Sequence, residues 1–374
     1  MMKKKFFTCI LLFLFFAALG QQIYKLYFVY LQDNLVDLTV YINAAKTALE
    51  GRNAYEHFFS QIPFNYPPTS LLFFSTLAIF PKSITAVIFL LASIASLLIS
   101  VWLLTVILFT KTKRLTAFFL FSALFIQYFP TKFTLTLGQI NLIILLLITT
   151  AFYFFKKNKD MHSGIFLGIA TLIKIFPCFL ILFFIKEKKW KTVFSFIITV
   201  GVGIGLTLLF FSPSLIISYF ESVAGNLFLQ GGETSYFDQS LNSFLLRLSV
   251  SSDVRLLLRI IFTLTSVFLF LKAKNKSLSY FGLIFSVLLF LPSFAWFHHY
   301  VILIPLLIIL YVTKTNSIEK LLLILVYALT SFHIRTPEAV TNPNTFLFSH
   351  PFIGACILWI TTIKKALDRR HKSS

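Results

Sequence analysis

Residues 84–114, ITAVIFLLASIASLLISVWLLTVILFTKTKR, contain the pattern that decides the fold of this chain. The first 27 of these residues carry no Asp, Glu, Lys or Arg, and three cations follow within the next four positions. About 20 apolar residues in a helix are enough to cross the hydrocarbon core of a bilayer. Lys and Arg next to such a helix mark its cytoplasmic end. The stretch therefore predicts a membrane-spanning helix that ends in the cytoplasm.

The same alternation of apolar blocks and basic clusters continues along the whole chain. Of its 374 residues, 58% are hydrophobic, only 12% are charged, and 48 are Phe. A water-soluble domain of this size needs a larger polar fraction to cover its surface. The composition therefore predicts an all-α, polytopic membrane protein and excludes a soluble one.

The net charge of +20 raises the possibility of a nucleic-acid partner. However, the Lys and Arg residues stand in short clusters between apolar blocks and do not form one continuous basic face. That distribution fits orientation by the positive-inside rule, together with attraction to anionic lipid headgroups. We therefore expect the bilayer as a partner, and no nucleic acid.

The basic clusters give a topology of about twelve helices with both termini in the cytoplasm, in a single membrane domain over residues 1–374. Two apolar stretches need a special interpretation. Residues 67–81 are short and are read as a helix on the outer surface, within a first outer loop of 31–83. Residues 162–185 are basic at both ends, so Lys174 and Pro177 predict a bend between two short helices; a single kinked span is the alternative. The predicted helices are 6–30, 84–110, 115–129, 138–155, 162–175, 177–185, 191–211, 254–272, 277–294, 299–313, 317–334 and 346–363.

This topology gathers the polar residues at the extracytoplasmic face of the cell membrane, in the first outer loop and in a second large one, 212–253. If the first loop is helical where it starts, Asp33, Asp37 and Tyr41 share one face. A carboxylate just above the bilayer can act as a general base toward a hydroxyl. It can also be an acidic residue that the helix dipole stabilises.

Four cations or potential cations lie at predicted outer helix ends: Lys174, Arg247, His298 and His299. A lipid phosphate needs positive charge and several hydrogen-bond donors, which these side chains could supply. Snorkelling of Lys174 and Arg247, and packing of the histidines at the interface, are the alternatives. Adjacent histidines on a helix point about 100° apart, so a shared metal ion is the weaker interpretation and we expect no metal.

Amides and one further carboxylate complete the candidates. Gln139 and Asn141, and likewise Asp238, Gln239 and Asn242, could bind sugar hydroxyls or the acceptor, or could bridge helices. The sequence has no Gly-rich nucleotide loop, no H-E-x-x-H and no G-x-S-x-G. No predicted inner loop is long enough for a nucleotide-binding domain. We therefore expect no nucleotide sugar and no cofactor, and a donor that is carried in the membrane.

Taken together, these pieces resemble the GT-C superfamily of membrane glycosyltransferases, and within it glycosyltransferase family 87. The resemblance covers most of the chain. Its motifs are Asp37-x-x-Val-Tyr41 with the Ala44, Ala45, Leu49, Gly51 and Tyr55 that follow, Tyr66-Pro67-Pro68, Gly138-Gln139-Ile140-Asn141, Gly164-x-x-x-Gly168-x-Ala170-x-x-x-Lys174-x-x-Pro177, Asn242-Ser243 with Arg247, and Ser293-Phe-Ala-Trp296-Phe-His298-His299.

The resemblance implies a GT-C fold with juxtamembrane helices in the first outer loop. It implies inverting, metal-independent transfer of a hexose, mannose in the best-known members, from a polyprenyl-phosphate donor to a lipid or glycan acceptor. Asp37 would match the general base, Tyr66 would lie among the sugar or acceptor contacts, and His298 or His299 would match a histidine near the donor phosphate. The sequence departs from the family at Phe294, where a Pro often follows the Ser.

Two other functions fit a chain with many helices. A transporter or flippase for a lipid-linked or small polar substrate should show internal repeats and polar residues near the bilayer centre. We find no convincing repeat, and the polar residues lie at one face. A non-catalytic lipid-binding scaffold is the third possibility, and in that case Asp37 would be dispensable.

Overall fold

The computed structural model describes residues 2–31, 35–59, 62–229, 234–313, 316–335 and 346–368. The described chain is almost entirely helical, with one antiparallel pair of two-residue strands, β1 (Phe58–Phe59) and β2 (Ile62–Pro63). The α-helices are α1 (Met2–Leu31), α2 (Val36–Leu49), α3 (Ser70–Ala78), α4 (Lys82–Leu108), α5 (Lys111–Gln127), α6 (Phe129–Leu137), α7 (Asn141–Lys156), α8 (Asp160–Ile173), α9 (Ile181–Lys186), α10 (Trp190–Phe210), α11 (Ser214–Ser218), α12 (Gly225–Leu229), α13 (Leu241–Arg247), α14 (Ser252–Lys272), α15 (Lys276–Phe290), α16 (Leu303–Val312), α17 (Ser317–Ser331) and α18 (His350–Leu367).

The predicted all-α membrane architecture is confirmed, and each of the twelve predicted helical segments overlaps an observed helix. Among the described residues, five helices are long and apolar enough to cross a membrane, α1, α4, α10, α14 and the Phe346–Leu367 segment. The bent pair α5 and α6 would be a sixth if it counts as one span. The number of crossings therefore stays a prediction.

The structure adds short helices where the sequence indicated loops. The predicted outer segment 130–137 belongs to α6, which is bent by 62° relative to α5. Tyr128 between them is extended, and Pro130 stands in the first turn of α6. A Pro there has no N–H to lose but cannot continue the preceding helix, which explains the break. The second predicted loop, 212–253, likewise contains α11, α12 and α13.

The helices form two compact units, which are described separately. The first comprises Met1–Cys178 and Trp190–Val223. Within it α8 packs between α7 and α10, and α4 packs on α5 and α7. A Cβ on Gly164 would lie 2.0 Å from Ser195 Oγ, and one on Gly168 would lie 2.7 Å from Thr199 Cβ. The small-residue spacing of this motif therefore lets α8 and α10 approach closely.

The second unit comprises Phe179–Lys189 and Ala224–Ser374. Its centre is α15, which packs on α14, α16 and α18 and is buried along nearly its whole length. An ion pair of 2.8 Å between Lys365 of α18 and Glu319 of α17 links two further helices. Glu319 also completes a capping box with Asn316 at the start of α17.

Candidate active site

In the first unit, α2 places Asp37 and Tyr41 one turn apart on the same helical face, as predicted. Tyr41 is only 1% exposed, whereas Asp37 is half-buried. The Tyr41 ring stacks on Phe74 of α3 at a centroid distance of 4.4 Å. This contact fixes the rotation of α2 about its axis. The Asp37 carboxylate consequently points toward the polar residues described next. Asp33, the third member of the predicted face, lies outside the described residues.

Gly138 brings a second polar segment against α2. It ends α6 in the left-handed conformation, with φ of 69°, which glycine adopts without a steric penalty. A Cβ at this position would lie 2.8 Å from the Leu38 Cβ of α2. Only a residue without a side chain allows this approach, and the next residue, Gln139, is consequently buried beside Asp37 and Tyr41.

Two buried tyrosines and Gln139 form a closed hydrogen-bonded network. The hydroxyls of Tyr41 and Tyr66 donate to Gln139 Oε1 at 2.8 and 2.9 Å, and they lie 2.8 Å from each other. Hydrogen bonding to the Gln139 amide also lowers the pKa of the Asp37 carboxyl group. Because a carboxylate can only accept, the amide N–H is the group that acts on it. The two tyrosines hold the amide beside the carboxylate through its oxygen.

Lys174 supplies the basic group of this cluster. Burial lowers the pKa of its ammonium group to about 7, although the Asp37 charge partly offsets this effect. Helix α8 ends at Ile173, and Lys174 is extended before a 3-10 turn begins at Phe176, so the helix is interrupted where the sequence predicted it. The Lys174 ammonium donates to Asn141 Oδ1 at 2.8 Å and lies 5.5 Å from the centroid of the Tyr66 ring.

The surroundings of Asp37 raise the pKa of its carboxyl group to about 6. Burial is the main cause, because it disfavours the charged form. The hydrogen bond from Gln139 and the positive charge of Lys174 lower this pKa, because both favour the charged carboxylate. At neutral pH the group is therefore mostly a carboxylate, with a higher proton affinity than an exposed Asp, which suits a general base.

In the second unit, Asp238 joins two loop segments. The side chain is fully buried, and its Oδ1 accepts the backbone N–H groups of Ser240 at 3.0 Å and Ala295 at 2.9 Å. The Asn242 amide donates to the backbone oxygen of Ser293 at 2.9 Å, and the Gln239 N–H donates to that of Ala295. We call these contacts the Asp238 clasp. They hold the turn that precedes His298 and His299.

Burial raises the pKa of Asp238 to about 6, against the lowering effect of its hydrogen bonds and of the nearby Arg247 charge. Arg247 itself donates to the backbone oxygens of Ser235 and Asp238 at 2.8 and 2.6 Å, and to Ser349 Oγ at 3.0 Å. Burial lowers the pKa of the Arg247 guanidinium, which the Asp238 charge partly offsets. At least three of its five N–H donors therefore bind protein groups.

His298 and His299 follow this turn in a 3-10 helix, Phe297–Ile302. Their ring centroids are 4.5 Å apart, and the His298 ring stacks on Trp296 at 6.1 Å. His298 is 6% exposed. Among the described residues, no three His, Cys, Asp or Glu side chains are grouped closely enough to hold a metal ion.

Comparison with known proteins places the chain in a family. The family model described as Glycosyltransferase family 87 matches residues 64–292, more than half of the sequence. The chain belongs to glycosyltransferase family 87. The predicted family and enzyme class are thereby confirmed, and the protein is a membrane glycosyltransferase.

Two curated relatives carry the name polyprenol-phosphate-mannose-dependent alpha-(1-2)-phosphatidylinositol pentamannoside mannosyltransferase. One, from Mycolicibacterium smegmatis, is 28% identical over 286 residues, which are 73% of this chain and 68% of the relative. The other, from Mycobacterium tuberculosis, is 24% identical over 289 residues, 74% of this chain and 66% of the relative. The chain thus matches about two thirds of the length of each.

In this family 87 glycosyltransferase, six predicted site residues from four separate stretches of sequence meet in one cluster. They are Asp37, Tyr41, Tyr66, Gln139, Asn141 and Lys174. Asp238, Gln239 and Asn242 are at most 2% exposed, and each has side-chain groups bonded to protein. Asp37 and the two histidines lie outside the segment that the family model matches.

The sequence interpretation missed two arginines in the second unit. Arg259 Nη2 donates to the backbone oxygens of Phe228 and Leu291 at 2.8 and 2.5 Å, and Arg255 Nε donates to Asn242 Oδ1 at 3.1 Å. Both belong to α14 and are four residues apart. Cations within an apolar helix are rare and face protein, so their spacing was the signal that could have found them.

Proposed function

We propose that this glycosyltransferase moves a mannosyl group from a polyprenyl phosphate to a lipid or glycan acceptor at the extracytoplasmic face of the membrane. The observation that carries the proposal is the convergence of Asp37 on α2 with the hydrogen-bonded Tyr41, Tyr66 and Gln139 and with the Lys174–Asn141 pair. Mannose and the polyprenyl carrier are supported by the names of the two relatives. A membrane-borne donor also agrees with the predicted absence of a nucleotide-binding domain.

In the proposed reaction, Asp37 takes the proton from an acceptor hydroxyl while the oxygen attacks the anomeric carbon. The bond between that carbon and the donor phosphate breaks, and the phosphate leaves with the electron pair. A single displacement of this kind inverts the configuration and needs one carboxylate. Positive charge develops on the sugar ring, as in glycoside hydrolysis, so the nearby carboxylate also favours the transition state electrostatically.

The departing phosphate needs positive charge and hydrogen-bond donors more than it needs a proton. Within the first unit, Lys174 is the cation beside Asp37 and is our candidate for this role. In the second unit, His298 and His299 remain predicted contacts of the donor phosphate. Arg247 stays in that prediction too, although its bonds to backbone oxygens support a part in holding the Asp238 clasp.

The test is a transfer assay with purified protein, polyprenyl-phosphate-[14C]mannose and a lipid extract of the native membrane. We expect labelled product from the wild type, and a rate lower by about 10²–10⁴-fold for Asp37→Asn, the usual size of a general-base contribution. Asp253→Asn, which neutralises an exposed carboxylate of the second unit, is the matched control.

If Asp37→Asn kept full activity, Asp37 would not be the general base. If the folded wild type gave no product with mannose, glucose, galactose or arabinose donors, the donor class itself would be wrong. A vesicle flux assay would then examine transport of the lipid-linked sugar.

A further inference from the structure

A groove of about 610 Å³ lies between α2 and the beginning of α4, within the first unit. Its lining includes Leu38, Ile42, Asn43, Lys46, Lys82 and Ser83. None of the six residues that meet around Asp37, which we call the reacting cluster, lines this groove. The groove is therefore a second concave surface, and the proposed reaction does not use it.

Helix α2 separates the groove from the reacting cluster. Asp37 and Lys46 are nine residues apart, which corresponds to two and a half turns. They consequently point in opposite directions, roughly 13 Å apart along the helix axis. The groove side of α2 presents residues at positions 38, 39, 42, 43 and 46, whereas the cluster side presents Asp37 and Tyr41.

The lining combines two chemistries. Lys46 and Lys82 both have exposed side chains, and Asn43 and Ser83 add hydrogen-bonding groups beside them. Leu38, Ile42 and Ala86, each at most 8% exposed, form an apolar floor. Among the described lining residues none is acidic. The surface thus matches an anionic head joined to an apolar tail.

The position along the chain also matches a lipid. Lys82 is the first residue of α4, one of the five helices long and apolar enough to cross a membrane. The first turn of such a helix lies near the headgroups, where a Lys side chain can snorkel to lipid phosphates on either side of the membrane. The two ammonium groups therefore stand where phosphate is abundant.

We propose that this groove holds one anionic phospholipid, whose phosphate lies between Lys46 and Lys82 and whose glycerol and proximal acyl carbons cover the apolar floor. The bound lipid packs on the side of α2 opposite Asp37. It is a positioning ligand and not a substrate, and the proposal does not depend on which sugar is transferred.

Native mass spectrometry of the purified full chain, supplied with phosphatidylglycerol or phosphatidylcholine, tests the site directly. We expect one phosphatidylglycerol to stay bound to the wild type. Lys46→Gln/Lys82→Gln should bind it about thirtyfold more weakly, roughly fivefold for each ammonium lost. Lys111→Gln/Lys113→Gln, which removes two exposed cations outside the groove, should bind it like the wild type.

A steric variant keeps the test decisive if the double variant does not fold. Ser83→Trp retains both lysines but fills the groove, so it should also lose the bound lipid. In nanodiscs, transfer by the wild type should rise when phosphatidylglycerol replaces phosphatidylcholine, and transfer by the Lys46/Lys82 double variant should not.

Four results would overturn the proposal. They are equal retention of phosphatidylcholine, lipid binding that is unaffected in both groove variants, displacement of the lipid by millimolar inorganic phosphate alone, and displacement by the polyprenyl-phosphate donor. The last would make the groove a donor site. Because lipid retention is measured without catalysis, failure of the proposed glycosyl transfer would leave this test intact.

Discussion

At the scale of single residues, the chemistry of Asp37 depends on neighbours that are distant in sequence. Gln139 is about a hundred positions away, and Lys174 is further still. Burial alone would leave the carboxyl group protonated more of the time, and these two residues restore part of its charge. An exposed Asp would be a weaker base, and an isolated buried one would be a neutral acid.

This balance predicts a pH dependence of transfer. A general base must be deprotonated, so the rate of the wild type should fall as the pH drops through about 6. Gln139→Ala removes a hydrogen bond that favours the carboxylate, raises the pKa of Asp37, and should move this acidic limb to higher pH. The control is Gln127→Ala, because the Gln127 amide donates to Gln21 on α1. This variant should leave the acidic limb of the pH profile in place. Rates measured between pH 5 and 8 decide the point, and an unshifted limb in Gln139→Ala would contradict the assigned hydrogen bond.

At the scale of secondary-structure elements, two close approaches shape the first unit, and one of them builds the site. Gly138 lets the corner between α6 and α7 touch α2, and the pair Gly164 and Gly168 lets α8 reach α10. Without the contact at Gly138, Gln139 would not lie beside the polar residues of α2. Glycine is required here for space, and at Gly138 also for its positive φ.

Gly138→Ala should consequently damage both stability and activity. The left-handed conformation costs an L-residue about 1–2 kcal/mol, and the new Cβ would collide with Leu38. We expect a lower apparent melting temperature and slower transfer, because Gln139 moves with the corner. Gly201→Ala in α10, where nothing lies within 4 Å, should leave melting unchanged or slightly raised. Equal melting of the two variants would refute the steric argument.

The Asp238 clasp is the corresponding element of the second unit. Asp238→Ala leaves the N–H groups of Ser240 and Ala295 without their acceptor, at about 1–3 kcal/mol for each buried donor. Hydrogen exchange in residues 293–300 should therefore speed up, and melting should occur at lower temperature. Asp238→Asn keeps an acceptor oxygen and should show an intermediate effect. Unchanged exchange in Asp238→Ala would show that the remaining contacts hold the turn alone.

At the scale of the whole molecule, the basic clusters predict how the chain is oriented in the membrane. By the positive-inside rule we expect residues 111–114 and 156–159 in the cytoplasm and residues 31–83 outside. In that orientation Asp37 would be extracytoplasmic.

Cysteine labelling measures this orientation. In a variant without Cys9, Cys178 and Cys356, single cysteines at exposed Glu56 and Lys159 probe the two predicted sides. An impermeant maleimide should label Glu56→Cys in intact cells, and Lys159→Cys only after permeabilisation. The reverse pattern would show the opposite orientation, with the proposed site at the cytoplasmic face.

The sequence by itself determined the class of the protein, because hydropathy and the distribution of charge report directly on the bilayer as solvent. Long apolar blocks predicted where helices occur, and Lys174 and Pro177 predicted the interruption after α8. The order of short motifs indicated the family. These signals are local, so no knowledge of packing was needed to read them.

The tertiary structure decided which polar residues act together. Gln139 and Asp238 look alike in sequence, as polar residues at the predicted outer face. In the fold, Gln139 joins the tyrosines beside Asp37 and lowers the pKa of its carboxyl group, whereas the buried Asp238 accepts hydrogen bonds from backbone N–H groups. The lipid groove behind α2 is also invisible in sequence, because its two lysines belong to different helices. Contacts of this kind depend on how helices pack, and helix packing is a property of shape that no local pattern encodes.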